Sequence, residues 1–117
     1  MRQPPSVDAW GGGGFRVSGD WRPGSLLILD DVARPWAASS LAALTLDDFS
    51  EVLASRGAVE FVLLGTGLIQ GLPPRALRDG LKAAGIGLEF MSTEAASRTY
   101  NVVASEGRRV AAALIAV

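Results

Sequence analysis

The residues best placed to do chemistry fall into two groups. The denser one is Thr93, Glu94, Arg98, Thr99, Tyr100 and Asn101. On a helix, Glu94, Arg98 and Asn101 stand at i, i+4 and i+7 and so share a face. Such a face can hold a ligand, with Arg98 as a fixed positive charge and Asn101 as both donor and acceptor. The other group is Gly65-Thr66-Gly67, which follows the apolar run Val59 to Leu64 and, past Gly71-Leu72, meets a helix start at Pro73-Pro74. A turn between a buried strand and a helix N-terminus is where α/β sheets tend to bind anions or nucleotides, so Thr66 and the neighbouring backbone amides form a candidate cradle. Two helix starts, near Pro74 and Thr93, follow strands expected to run side by side, which would bring their positive ends together at one sheet edge. A small anionic ligand, a nucleotide or a phosphorylated or carboxylated metabolite, would then sit between the Gly65 loop and the Arg98 helix.

Each group also has a plainer reading. The glycine spacing matches neither G-x-G-x-x-G nor the phosphate loop with its Lys and Ser/Thr, which favours a bare turn. On the helix, Glu94 and Arg98 can form an ordinary surface salt bridge, with Tyr100 in the core and Asn101 bonding a loop.

What is absent excludes more chemistry than what is present suggests. The 117 residues include no cysteine and no histidine. A disulfide, a thiolate nucleophile, a Cys/His zinc site, a histidine base and both Ser-His-Asp and Cys-His catalysis are therefore ruled out. An enzyme here would rely on carboxylates, Lys82, Tyr100, hydroxyls, arginines or a borrowed cofactor. No cofactor motif is recognised and no catalytic residue is assigned. Asp30-Asp31 and Asp47-Asp48 are the only adjacent carboxylate pairs. They suggest at most a hard cation, and more simply a strand-end turn and the first turn of a helix.

The net charge is −1, from 11 basic and 12 acidic residues, which gives no field for collecting nucleic acid or anionic lipid. Arg108-Arg109 is too small a cluster to change that. No apolar stretch reaches the roughly 18 residues that span a bilayer. The opening Met1 to Pro5 has neither an apolar signal core nor the Arg- and Ser-rich character of a transit peptide. The expected location is the cytoplasm of a bacterium.

The elements that must position these groups can be read from patterning. Hydrophobic content of 49% with 20% charge is that of a globular chain, and this length is typical of one domain. Residues 1 to 6 read as a flexible arm. Val7 to Trp10 and Phe15 to Ser18 read as strands on either side of four glycines, with Gly19-Asp20 and Pro23-Gly24 as turns. Ser25 to Asp30, Val59 to Leu64, Ile86 to Phe90 and Val110 to Val117 are predicted strands; Leu26 to Leu29, Phe61 to Leu64, Gly87 to Phe90 and Ala111 to Ile115 are expected to lie centrally. Helices are predicted from Thr45 to Gly57, from Pro73-Pro74 to Gly85, and from an N-cap at Thr93 to about Ser105. Strand and helix alternate through the second half, the pattern of a mixed, mostly parallel sheet with flanking helices. Trp10, Trp21 and Trp36 crowd the first half, where glycine loops offer limited cover. Exposed aromatics there would mark a protein interface, and buried ones would be core plugs.

Taken in order, Gly12 to Gly19, Gly65-Thr66-Gly67, Ala95 to Asn101 and Glu106 to Ala113 resemble the Mth-type domain of unknown function. That family includes the mitochondrial complex I assembly factor three. The resemblance covers nearly the whole chain. It implies a three-layer α/β fold with a mixed central sheet, flanking helices and additional N-terminal β-structure. It transfers no catalytic activity, and for the mitochondrial relatives it implies a role in assembly through protein contacts. Many relatives carry a cysteine just before the arginine of the Arg-Thr-Tyr-Asn segment, where this chain has Ser97. Two functional readings follow: a non-enzymatic interaction or assembly module with a protein partner, or a small-anion binder or enzyme using the Gly65 loop and the Arg98 helix.

Overall fold

The structure, a computed structural model, describes residues 3–117. Met1 and Arg2 of the expected arm lie outside the described residues. The chain opens with an antiparallel meander, β1 (Val7–Gly11), β2 (Gly14–Val17) and β3 (Asp20–Pro23). Gly12 and Gly13, at φ 64° and 83°, make the first two-residue turn, a conformation that matches strand twist and that glycine adopts without strain. Gly11 and Gly14 extend the strands on either side, so the glycine run interrupts regular structure only at its two middle residues.

The second sheet holds β4 (Ser25–Leu29), β5 (Val32–Trp36), β6 (Phe61–Gly65), β7 (Gly87–Met91) and β8 (Val110–Leu114), in the order β5-β4-β8-β6-β7. β6 is parallel to both β7 and β8, and β4 is antiparallel to both β5 and β8. Four strands thus run one way and β4 runs against them. Every residue of β4, β6 and β8 is buried, which explains their near-continuous apolar sequence: both faces are covered. β7, expected in the centre, is an edge strand. It pairs only with β6, and its exposed Gly87 and Glu89 reflect that position.

The two faces bury different partners. Leu27, Leu29, Val62, Leu64, Ala111 and Ala113 meet Phe49, Val52, Leu77 and Leu81, from α1 (Ser50–Ala54), the turn before it and α2 (Arg75–Ala83). Leu26, Ile28, Leu63, Ala112 and Leu114 meet Phe15 and Val17 of the meander and Ala96, Tyr100 and Ala104 of α3 (Thr93–Ser105). This is a three-layer α/β fold. Each fully buried Leu, Val or Phe side chain contributes about 1.5–3 kcal/mol relative to exposure.

Several local expectations change in the structure. The helix predicted from Thr45 to Gly57 is broken into a 3₁₀ turn (Leu46–Phe49), the five residues of α1, and a second 3₁₀ turn (Arg56–Ala58). Trp36 helps shape that segment: its indole donates to the Asp48 carbonyl at 2.9 Å and its ring meets Phe49 edge-on. Pro74 caps α2 from outside, and Pro73 lies before it. Asp20–Pro23, whose ends fall in the expected turns Gly19-Asp20 and Pro23-Gly24, and Val32–Trp36, not expected as a strand, are edge strands. Asp30 and Asp31, at φ 52° and 64°, form the tight turn between β4 and β5.

Candidate functional site

β6 ends at Gly65 because the chain must turn there beneath the start of α3. A Cβ on Gly65 would lie 2.9 Å from the Thr93 Cα and 3.0 Å from its Oγ1, so only glycine lets the two segments approach. The residues that follow are held by two threonine hydroxyls. Thr66 Oγ1 faces the carbonyls of Ile69 at 2.7 Å and Met91 at 3.1 Å and accepts from the Gly71 N–H at 3.1 Å. Thr93 Oγ1 donates to the Ile115 carbonyl at 2.7 Å and accepts from the Gly67 N–H at 3.0 Å. The Thr93 N–H in turn donates to the Gly67 carbonyl at 2.8 Å. Gly67, at φ 118°, presents both its backbone groups to Thr93 in a conformation that L-residues rarely adopt.

Thr93 is therefore not the cap of α3. Ser92 occupies that position and accepts from the Ala95 N–H at 3.2 Å. Two adjacent hydroxyl residues offered two choices for the cap, and the loop beneath took one of them.

The structure brings Gly65, Thr66, Gly67 and Thr93 together and directs the rest of α3 elsewhere. Arg98 pairs with Glu94 at 3.1 Å, with both side chains mostly exposed, and its guanidinium lies 5.5 Å from the centre of the Trp10 ring. The expected convergence of Arg98 on Thr66 is not formed, because a half-buried aromatic on β1 and a carboxylate one helical turn back already engage the arginine. Asn101 clamps β1 to the helix: its Oδ1 accepts from the Val7 N–H at 2.8 Å and its Nδ2 donates to the Val7 carbonyl at 2.9 Å. Tyr100 is 1% exposed in the core. Thr99 reaches the Met91 sulfur at 3.6 Å. Ser97 is buried, and its hydroxyl donates to the Thr93 carbonyl within the helix at 2.8 Å.

What the pinned loop presents outward is apolar. Leu68, Ile69 and Leu72 are 85%, 78% and 65% exposed. Three large aliphatic side chains within five residues, on a loop braced from below, form an exposed apolar tip. Gln70 adds a contact to the Phe90 carbonyl of β7 at 3.4 Å. Composition alone hides these residues among the core leucines. The available signal was local: an apolar triplet bracketed by Gly67, Gly71 and Pro73-Pro74 falls where neither strand nor helix can continue. Of the three tryptophans, Trp36 is buried, Trp10 is half-buried and Trp21 is about half exposed.

Comparison with known proteins fits this architecture. Residues 7–115 match the family described as Protein of unknown function (DUF498/DUF598). An uncharacterised protein of Rhodobacter capsulatus is 40% identical over 109 residues, covering 93% of this chain and 82% of that protein. NADH dehydrogenase [ubiquinone] 1 alpha subcomplex assembly factor 3 of Bos taurus is 32% identical over 110 residues, covering 93% of this chain and 59% of the bovine protein. The chain thus spans under two thirds of that relative's length. Among solved structures, a Bartonella henselae protein described as an outer membrane protein superposes with a TM-score of 0.89 at 37% identity, over 97% of this chain and 96% of that one. A Bordetella pertussis protein described as a Mth938-like domain gives 0.80 at 27% identity, over 98% and 90%. Among the described residues no helix is long and apolar enough to cross a membrane.

Proposed function

This chain belongs to the DUF498/DUF598 family, and from that premise we propose that it is a non-enzymatic interaction module that helps assemble a multisubunit complex. The observation that carries the reading is the exposure of Leu68, Ile69 and Leu72 on a loop fixed by Thr66 and Thr93. A braced loop has little conformational freedom left to lose, so apolar contact there is converted into affinity with a smaller ordering cost. Two further features support a binding role over catalysis. The chain has no histidine or cysteine, and Thr66, Thr93 and Asn101 engage their polar groups in bonds that hold the fold. The relationship to the mitochondrial assembly factors supports a respiratory complex as the assembly concerned, with its partner a subunit or another assembly protein.

The test is affinity capture from native cytosolic and membrane extracts, with wild type and Leu68→Ser/Ile69→Ser as parallel baits. The expected result is a defined partner retained by wild type across salt concentrations and lost from the double variant. Recovery of no partner at any bait level, together with turnover of a defined metabolite, would replace this reading with an enzymatic one.

A further inference from the structure

β3 carries its side chains in an inverted order. In its pairing with β2, Arg22 stands opposite Phe15, Asp20 opposite Val17, and Trp21 opposite Arg16. Directly opposed residues share a face. Phe15 and Val17 are buried, so Arg22 and Asp20 lie on the inner face and Trp21 on the outer one. An ordinary half-buried strand buries the tryptophan and exposes the arginine. Violations of patterning concentrate where function overrides packing. Inward charge on an edge strand also discourages edge-to-edge pairing, but here the inversion opens onto a cavity.

That cavity, about 320 Å³, lies between the two sheets, where β3 faces the start of β4 and the end of β5. Residues 20–23, Ser25, Leu26 and Pro35 line it, and the strand registers turn the side chains of Asp20, Arg22, Leu26 and Pro35 toward it. The Arg22 Nε is buried and has no hydrogen-bond partner, and among the described residues the guanidinium forms no ion pair. Buried donors without acceptors are rare because their desolvation is uncompensated.

We propose that this cavity binds a single carboxylate carried on an apolar body. The planar guanidinium fork matches a carboxylate in two-point geometry. Leu26 and Pro35, which share a face, cover the apolar part. Asp20 on the same wall disfavours a polyanion such as phosphate. The volume lies at the small end of ligand pockets, with room for a group the size of an aromatic side chain. Two sources share this chemistry, a free small acid and the C-terminal carboxylate of a peptide ending in an apolar residue. The site shares no residue with the Leu68 loop, so either can fail without the other.

The test is amide NMR titration of the whole chain with 3-phenylpropionate, with 3-phenylpropan-1-ol as the neutral isostere, and with triglycyl-phenylalanine peptide as free acid or amide. Expected are saturable shifts confined to the amides of residues 20–22, 24–26 and 36 with the acid and absent with the alcohol. Arg22→Met should weaken binding by about tenfold or more, the value of a charge-assisted hydrogen bond, and Arg22→Lys should restore part of it. Phenylpropionate binding alone marks a small acid as the ligand. Tighter binding of the free-acid peptide, with no binding of its amide, marks a chain terminus. Absence of saturation with both acids, equal shifts with acid and alcohol, or binding unchanged in Arg22→Met would overturn the proposal. Should Arg22→Met fail to fold, the acid-versus-alcohol comparison on wild type decides alone.

Discussion

The Gly65 loop and the outer face of α3 are close in sequence terms, both polar or glycine-rich and both opening at a helix start, yet they end in opposite roles. On α3 the groups that look like ligand-binding chemistry are engaged internally: Asn101 holds β1, and Arg98 rests between Glu94 and Trp10. In the loop the hydroxyls are also engaged, but their effect is to push three aliphatic side chains into solvent. A polar side chain near a helix start therefore says little until its partners are known. An apolar side chain held in water by a rigid scaffold is the more telling sign.

The strongest way to break this contrast is to remove the brace. Thr93→Val deletes a buried donor and acceptor together, leaving the Ile115 carbonyl and the Gly67 N–H without their partner; the expected loss is about 3 kcal/mol by urea denaturation. Thr66→Val, at a site closer to solvent, is expected to cost about 2 kcal/mol and to speed hydrogen exchange at the Gly71 amide. A Thr66→Val protein as stable and as protected as wild type would mean that the loop is held by packing alone.

Smaller effects sharpen the other side. Arg98→Ala should cost no more than about 1.5 kcal/mol, since an exposed i,i+4 pair is worth a few tenths and an exposed cation–π contact about 0.5–1. A loss near that of Thr93→Val would show that α3's outer face is structural in a way its exposure does not suggest. Leu68→Ser/Ile69→Ser should leave the unfolding midpoint within about 0.5 kcal/mol of wild type, because the side chains it removes are already in water. Its effect belongs in partner capture. The smallest expected change is at Asp8, where the Ser6 hydroxyl at 2.7 Å and then the Gly19 N–H at 2.9 Å hold the carboxyl below its ordinary value. A depressed carboxylate adds stability above its unfolded pKa and loses it as pH falls through the folded one. Asp8→Asn should therefore flatten the acid limb of the stability profile, lowering stability slightly at neutral pH and leaving it unchanged near pH 2, as equilibrium unfolding across pH 2 to 7 would show.

Much of the frame was legible because burial on both sides leaves a plain mark. Leu26 to Leu29, Phe61 to Leu64 and Ala111 to Ile115 read as covered strands; all of these residues are buried, and Ile115 alone lies just past its strand, which ends at Leu114. The alternation that followed them implied a layered sheet. The exclusion of thiol and imidazole chemistry needed no structure at all. Edges were harder to read: β3 and β5 are short, contain Pro23 and Pro35, and are strands only because a neighbour pairs with them. β7 carries one mark of its outer place, the charged Glu89 in mid-strand, where β6 is apolar from Phe61 to Leu64.

Tertiary structure alone decided where each ambiguous group points. A threonine beside a serine can cap a helix or reach beneath it, and the Ile115 carbonyl and Gly67 N–H settled that choice for Thr93. An arginine in a strand faces in or out according to register, and the Phe15 pairing turned Arg22 inward. Leu68, Ile69 and Leu72 are chemically the same as the leucines of the core. Composition fixes how much apolar surface a chain has, but only the folded path, through what lies within a few ångströms of each side chain, fixes which part of it stays in water.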